Sequence, residues 1–449
     1  MTKKGGRAGG AKGVRKPNAA VYLLVYLLIY PVFKICFRLK VDRGKFAPPK
    51  GPFIVLSNHT SFMDFLLTML TIYPRRLNAV AAQKFYLYKP LNWLLPLMGC
   101  IPKNLFDPDI RSIKGIIKVL GRGGRVLLYP EGRCTVAGGY MGMHDSTGKL
   151  IKKFSVPVLS CRIDGAYNCM PFWRKGVRFG NVRVTLSNLF DADEIKVLSE
   201  SEINKRIDAR LSGADRIELT PRGADNTRNM PRTADNTRTA PHRVSKLRNM
   251  PRTASSRRLA EGLENILYYC PACGAEFTLT TSKNKITCSA CGYAVTMARD
   301  GTFTPAAGGP APIDAQDWYR AQCEFEATRL AEDMAPLNVE VDVRMPGAPG
   351  TGISMCGSGT LSLSPQGWSY DGELRGEAVR LEFPIATVPA MPFDPNDNFQ
   401  IYANGGFYSF TPSGKPQACS KYATIGECAY WRFAAPIRMT PGQDSGFHK

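Results

Sequence analysis

His59 and Asp64 stand five positions apart in Leu56-Ser57-Asn58-His59-Thr60-Ser61-Phe62-Met63-Asp64-Phe65, directly after an apolar run that starts at Phe53. The run reads as a strand, and Ser61 reads as the N-cap of a helix behind the histidine. Asp64 then falls at the third helical position, in an arrangement like a capping box, with its carboxylate turned back toward the loop that carries His59. A carboxylate placed there accepts a hydrogen bond from one ring nitrogen, fixes the tautomer and leaves the other nitrogen as a general base. Such a pair removes a proton from a substrate hydroxyl without a protein nucleophile. The plainer alternative is that Asp64 caps its helix and His59 bonds within the loop.

A second group follows another apolar strand, in Leu127-Leu128-Tyr129-Pro130-Glu131-Gly132-Arg133. Gly132 lets a backbone approach a ligand closely, and Arg133 offers a planar fork of donors suited to phosphate. Glu131 either orders Arg133 or binds a substrate hydroxyl; a turn with a surface ion pair is the alternative. Lys103 follows a short apolar run and offers a point charge to a phosphate, or a solvated side chain. Of the four histidines, His242 lies in a basic low-complexity stretch and His448 at the extreme terminus, so His144, in a glycine-rich loop, is the only rival base.

Metal chemistry is written in the cysteines. Cys270-x2-Cys273 and Cys288-x2-Cys291 have the spacing of a four-cysteine zinc ribbon, and Gly274 and Gly292 follow each pair. Four thiolates fill a tetrahedron, so the implied Zn2+ is structural. The remaining nine of the 13 cysteines are scattered, which suits a reducing compartment better than a disulfide framework.

The elements that must hold these groups alternate strand and helix between residues 50 and 200, which implies an α/β domain with a largely parallel sheet. Strands are expected over Pro52–Asn58, Asn78–Gln83, Arg125–Gly132, Val156–Ile163 and Val182–Phe190. A helix is expected over Ser61–Tyr73, and another from Asp109, with Ile110, Ile113, Ile116, Ile117 and Leu120 on one face. Ahead of this domain, Ala19–Phe33 is uncharged and apolar, with Pro31 near its end to break or kink it. The stretch is at or below the ~20 residues that span a bilayer; a monotopic or shallow anchor is favoured over a single span or a core helix. The first 16 residues carry six basic and no acidic side chains.

Beyond the domain, Asn229–Ala234 recurs at 249–254 and Ala224–Arg228 recurs at 234–238, in a stretch too polar to order itself. A helix is expected over 256–269 and an amphipathic one over 314–333. The last 110 residues turn to period two, as in Val339, Val341 and Val343, and read as a small, mostly antiparallel β-domain that faintly resembles pleckstrin-homology or GRAM-like domains. The division is thus 1–18 basic disordered tail, 19–38 membrane-anchoring helix, 39–215 α/β domain, 216–258 basic insertion, 259–300 zinc ribbon and 301–449 helix plus β-rich domain.

The ordered set of motifs resembles the 1-acyl-sn-glycerol-3-phosphate acyltransferase family over roughly residues 20–210. Asn58-His59-x4-Asp64 matches that family's first motif, Tyr129-Pro130-Glu131-Gly132 its third, and Val156-Pro157-Val158 its fourth. Two positions depart from the pattern. The family places Thr and then Arg after the glycine, whereas Arg133 follows Gly132 directly. Its second motif ends in Arg, whereas Gly99-Cys100-Ile101-Pro102-Lys103-Asn104 offers Lys103. The resemblance implies a base, His59, that deprotonates the free hydroxyl of lysophosphatidic acid or a related lysophospholipid. It also implies Arg133 and Lys103 on the phosphate, an acyl donor that is a thioester of acyl carrier protein or coenzyme A, and a place at the cytoplasmic face of the cell membrane among its lipids.

Lys and Arg total 59 against 37 Asp and Glu, a net charge of +22 that seeks anions. Charge and zinc ribbon together admit a different class, a nucleic-acid-binding protein with a basic arm. The apolar N-terminal stretch and the ordered motifs make nucleic acid the weaker partner. A non-catalytic lipid-binding scaffold is the third reading, kept open by the departures at Arg133 and Lys103.

Overall fold

Every residue of the strand Phe53–Ser57 is buried, which requires cover on both sides of its sheet. The computed structural model describes residues 13–105, 109–143, 145–213, 258–306, 311–332, 337–348, 350–403, 406–414 and 416–434. The sequence repeats, His144, His242, His448 and residues 1–12 lie outside these. The first sheet comprises β1 (Lys40–Asp42), β2 (Phe53–Ser57), β3 (Asn78–Ala82), β4 (Ile101–Lys103), β5 (Arg125–Leu128), β6 (Val158–Asp164) and β7 (Arg183–Phe190). Its order is β1-β7-β6-β2-β5-β3-β4. The pairs of β2 with β5 and β6, and of β3 with β5 and β4, are parallel, while β6 and β7 are antiparallel.

Helices cover both faces: α1 (Ala19–Cys36), α2 (Asp64–Ile72), α3 (Leu91–Leu97), α4 (Ile110–Gly121), α5 (Ser146–Phe154), α6 (Ala166–Cys169), α7 (Ala192–Val197) and α8 (Glu200–Ser212). Phe53 and Val55 enter one core with Tyr22, Leu67 and Leu70, while Ile54 and Leu56 enter the other with Ile116, Val119, Ile203 and Ile207. The two-residue period of a strand thus splits β2 between two apolar layers. Because β2 to β6 run parallel, their carboxyl ends share one edge, the place where open α/β sheets present ligand-binding loops.

A four-stranded antiparallel sheet follows, β8 (Leu279–Ser282), β9 (Lys285–Cys288), β10 (Ala294–Met297) and β11 (Phe303–Pro305), in the order β11-β10-β9-β8. Next come α9 (Ala315–Glu332) and a seven-stranded antiparallel sheet of β12 (Leu337–Pro346), β13 (Ile353–Ser364), β14 (Gly367–Leu374), β15 (Glu377–Pro384), β16 (Phe393–Asp394), β17 (Asn398–Ala403) and β18 (Gly406–Pro412). Its order is β15-β14-β13-β12-β18-β17-β16, and α10 (Cys419–Phe433) packs on it. One core joins these parts and takes in Val136, Ala137 and Trp173 from the loops of the first domain.

Five expectations need correction. Helix α2 begins at Asp64, not at Ser61, because the Asp64 carboxylate gathers the preceding N–H groups into a turn. Helix α4 buries Ser112, Gly115, Ile116, Val119 and Leu120, whereas Ile110 and Ile117 face solvent; Gly115 packs closely on Ile101, and that contact sets the face. Pro31 does not end α1, which runs on to Cys36. Within 258–269, only Leu263–Asn265 forms a helical turn, because Gly262 takes a positive φ of 98° while Leu259, Ala260, Leu263, Ile266 and Leu267 enter a core. Residues 13–18 are held rather than loose: Asn78 Nδ2 donates to Arg15 O at 2.9 Å and Arg76 donates to Pro17 O at 2.7 Å.

Candidate active site

His59 follows the carboxyl end of β2, and its surroundings fix both its backbone and its ring. Asn58 ahead of it bridges to β6, donating to Ile163 O and accepting from Ile163 N at 2.8 Å each. The His59 N–H donates to Glu131 Oε1 at 2.7 Å, and its carbonyl accepts from Thr135 N at 2.8 Å. The imidazole stacks on Tyr129 with ring centroids 4.3 Å apart. His59 Nδ1 lies 3.0 Å from Asp64 Oδ2, and the His59 side chain keeps 22% exposure while Asp64 is fully buried.

Asp64 is satisfied several times over. Oδ2 also accepts from Thr60 N at 2.6 Å and Ser61 N at 2.8 Å. A carboxylate fixed by two backbone donors cannot swing away from the ring, so the Nδ1–H tautomer is set and Nε2 is left for chemistry. Burial alone favours a neutral ring, but the neighbouring Cys134 sulfur and the Asp64 carboxylate outweigh it and carry the His59 pKa well above its ordinary value.

The substrate-binding expectations fare differently. Glu131 does not order Arg133: its two oxygens accept from His59 N and, at 3.0 Å, from Met141 N. Burial pushes its pKa up to about 7, against the lowering effect of those two bonds. Arg133 is turned into the C-terminal region, where Glu427 of α10 binds both guanidinium nitrogens, one contact measuring 2.7 Å. Both side chains are only 16% exposed. A full carboxylate fork is the physical reason that Arg133 is not open to phosphate. Gly132 takes a positive φ of 73° in a turn closed by its N–H on Tyr129 O, with open space where a Cβ would stand. Lys103 ends β4 on the same carboxyl edge, but three strands from β2. At about 4.8 Å per strand that is roughly 14 Å, so only an extended ligand spans both.

Sequence reasoning passed over Cys134, Tyr129, Thr135 and Glu427. Cys134 Sγ lies 3.3 Å from His59 Nε2 and 3.4 Å from Nδ1. Its signal was its place two residues after Gly132, in a motif already read as part of the site.

The four cysteines form a second centre. Their sulfurs all lie within 4.8 Å of one another, and Cys270–Cys291 and Cys273–Cys288 are 3.8 Å apart. A tetrahedron with metal–sulfur bonds of ~2.3 Å has sulfur–sulfur edges of about 3.8 Å. Gly274 and Gly292 take positive φ of 72° and 75°, as tight knuckles need. The donor set therefore fits a metal ion, held by all four thiolates.

Residues 38–164 match the Acyltransferase family. This stretch, which holds His59, Asp64, Lys103, Glu131, Gly132 and Arg133, is an acyltransferase-family domain, and the resemblance drawn from its motifs stands. Among solved structures, the 1-acyl-sn-glycerophosphate (LPA) acyltransferase PlsC from Thermotoga maritima is similar, with 21% identity and a TM-score of 0.39 over 45% of this chain and 81% of that one.

Proposed function

We propose that the protein transfers a fatty acyl group from a thioester donor to the free hydroxyl of lysophosphatidic acid or a related lysophospholipid, giving phosphatidic acid or its counterpart. The observation that carries this reading is the 3.0 Å contact of His59 Nδ1 with a buried, backbone-fixed Asp64 inside an acyltransferase-family domain. Asp64 holds the ring and stabilises its charged form. Nε2 takes the hydroxyl proton, the oxygen attacks the thioester carbonyl, and the proton passes to the departing thiol. Glu131, Thr135 and Tyr129 position His59. Lys103 meets the acceptor phosphate as a point charge, and the turn at Gly132 leaves room for ligand.

The anchor reading gains support from α1. Tyr22 is buried and donates to Leu77 O at 2.6 Å, and Phe33 is buried, while Leu24, Leu27, Leu28 and Ile35 of the same helix are exposed. A helix docked along one side and apolar on the other lies in a membrane interface. Basic residues such as Lys34 and Arg38 suit an anionic cytoplasmic leaflet. The ion in the cysteine centre is Zn2+, which stabilises the region around β8–β11 and has no open coordination position for chemistry.

The test is direct assay. The full chain in anionic vesicles receives lysophosphatidic acid with either a coenzyme A or an acyl carrier protein thioester. Phosphatidic acid forms with one donor or both. Absence of product with both donors contradicts the reading.

A further inference from the structure

The loop after β5 clasps His59 with one set of residues and is seated on the C-terminal region by another. Glu131 accepts from the His59 N–H, Thr135 N–H donates to the His59 carbonyl, and the Cys134 sulfur lies against the imidazole. Between them, Arg133 meets Glu427 of α10 with both guanidinium nitrogens. Val136 and Ala137 are buried in the core that holds Trp318 and Tyr319 of α9 and the C-terminal sheet. Farther along, Gly139 N–H donates to Gln316 Oε1 of α9 at 3.1 Å. A Cβ on Gly139 would come within 2.5 Å of that side chain, so α9 presses directly on the loop. Glu427 is itself held, since Oε1 also accepts from Met391 N at 3.0 Å. Thr135 stands two residues from Arg133, so at most ~7 Å of backbone ties the ion pair to the bond on the His59 carbonyl.

We propose that Glu427 and Gln316 are positioning residues for His59, so that α9 and α10 set the loop that clasps the base and the C-terminal region is a working part of the active site. The effect on turnover rests on the acyltransferase reading; the effect on the imidazole does not. Both residues act through the loop, and neither meets the reacting atoms. Without the Glu427 carboxylate, a mostly buried guanidinium is left charged and unpaired, and it turns toward water and draws the loop with it. Thr135 then loses the His59 carbonyl, and Cys134 leaves the ring. A misplacement of about 1 Å at a catalytic group costs on the order of 100-fold in rate.

The groups that face His59 are Asp64 from α2, Tyr129 from the end of β5, and Glu131 and Cys134 from the loop. Asp64 is fixed by the Thr60 and Ser61 N–H groups and stays in place. Cys134 is one of the groups that keep the ring protonated, so its withdrawal lowers the His59 pKa. A base works in its neutral form, and the acid limb of kcat therefore moves to lower pH. The opposite role for the ion pair is a gate, in which Glu427 withholds Arg133 from an acceptor phosphate. Loss of Glu427 then lowers KM for lysophosphatidic acid.

Full-length Glu427→Gln, Gln316→Ala, Arg133→Gln and the Arg133→Gln/Glu427→Gln double variant are assayed at a temperature where each is folded. His59 is titrated by NMR in histidine-labelled protein, which holds four histidines. Glu427→Gln is expected to lose about 10–100-fold in kcat, with KM for lysophosphatidic acid within about twofold of wild type. Gln316→Ala is expected to lose roughly 3–10-fold. The double variant is expected to be no worse than Glu427→Gln, because the pair acts as one unit. In Glu427→Gln, the His59 titration and the acid limb of kcat both move to lower pH. A role confined to stability lowers the unfolding midpoint but leaves kcat within about threefold and the His59 titration unmoved, and that result overturns the proposal. A fall in KM with kcat unchanged or raised also overturns it and makes the ion pair a gate. Absence of phosphatidic acid from wild type with both donors brings down the acyltransferase reading alone. The His59 titration then decides: a shift in Glu427→Gln upholds the positioning role, and no shift overturns it.

Discussion

The loop around His59 and the knuckles around Cys270 and Cys288 both gather polar groups in a small space, but they are held by different means. His59 is fixed by partners from the protein itself: Asp64 on the ring, Glu131 on the N–H, Thr135 on the carbonyl and Tyr129 on one face. The four cysteines lie on two tight turns and converge on one another. The first region is preorganised by folding, whereas the second brings together four thiols that could hold an ion.

Removing the ion breaks this contrast most severely. Chelation of the purified full chain is expected to raise amide exchange by orders of magnitude across 270–297, where zinc sites supply most of the folding free energy. Amides of β2 and the first turn of α2 keep their protection. Equal loss in both regions contradicts the contrast.

Arg133 links the two regions, since its loop belongs to the first and Glu427 to the C-terminal core. Glu427→Ala strands a mostly buried guanidinium, and a loss of about 3–5 kcal/mol in denaturant unfolding is expected. Glu427→Gln, which keeps one acceptor, is expected to lose less.

Glu131 sharpens the account of preorganisation through pH. Its folded-state pKa is raised from 4.5 to about 7, so the neutral carboxyl favours folding. That stability is fully present below pH 4.5 and is lost as pH rises through 7, a change of ~3 kcal/mol. Glu131→Gln, locked neutral, is expected to flatten this part of the profile. An unchanged slope means that another group is responsible.

Asp64→Asn has the smallest expected effect of the set. The amide still accepts from the backbone but no longer stabilises an imidazolium, so kcat is expected to fall roughly 10–100-fold with KM little changed. A rise in KM alone assigns Asp64 to binding.

How much of this was legible in the sequence follows from contact distance along the chain. His59 and Asp64 are a strand–loop–helix contact that spacing encodes, and two Cys-x2-Cys knuckles encode their own geometry. The partners of Glu131 and Arg133 were misread because His59 lies 72 residues from Glu131, and Glu427 lies 294 residues from Arg133. Nothing local marks such pairs. The helix face of α4 failed for a related reason: isoleucine count suggests one stripe, but close approach of Gly115 to Ile101 selects another. Five of the seven strands of the first sheet were readable from their apolar runs, whereas β1 and β4, three residues each, were too short to stand out.

The central claim is that the His59 imidazole draws the proton from the acceptor alcohol. The most direct measurement is kcat/KM for lysophosphatidic acid, at saturating acyl thioester, for wild type and His59→Ala. A loss of at least ~100-fold with an unchanged fold is predicted, the low end for removal of a general base. Near-full activity in His59→Ala contradicts it.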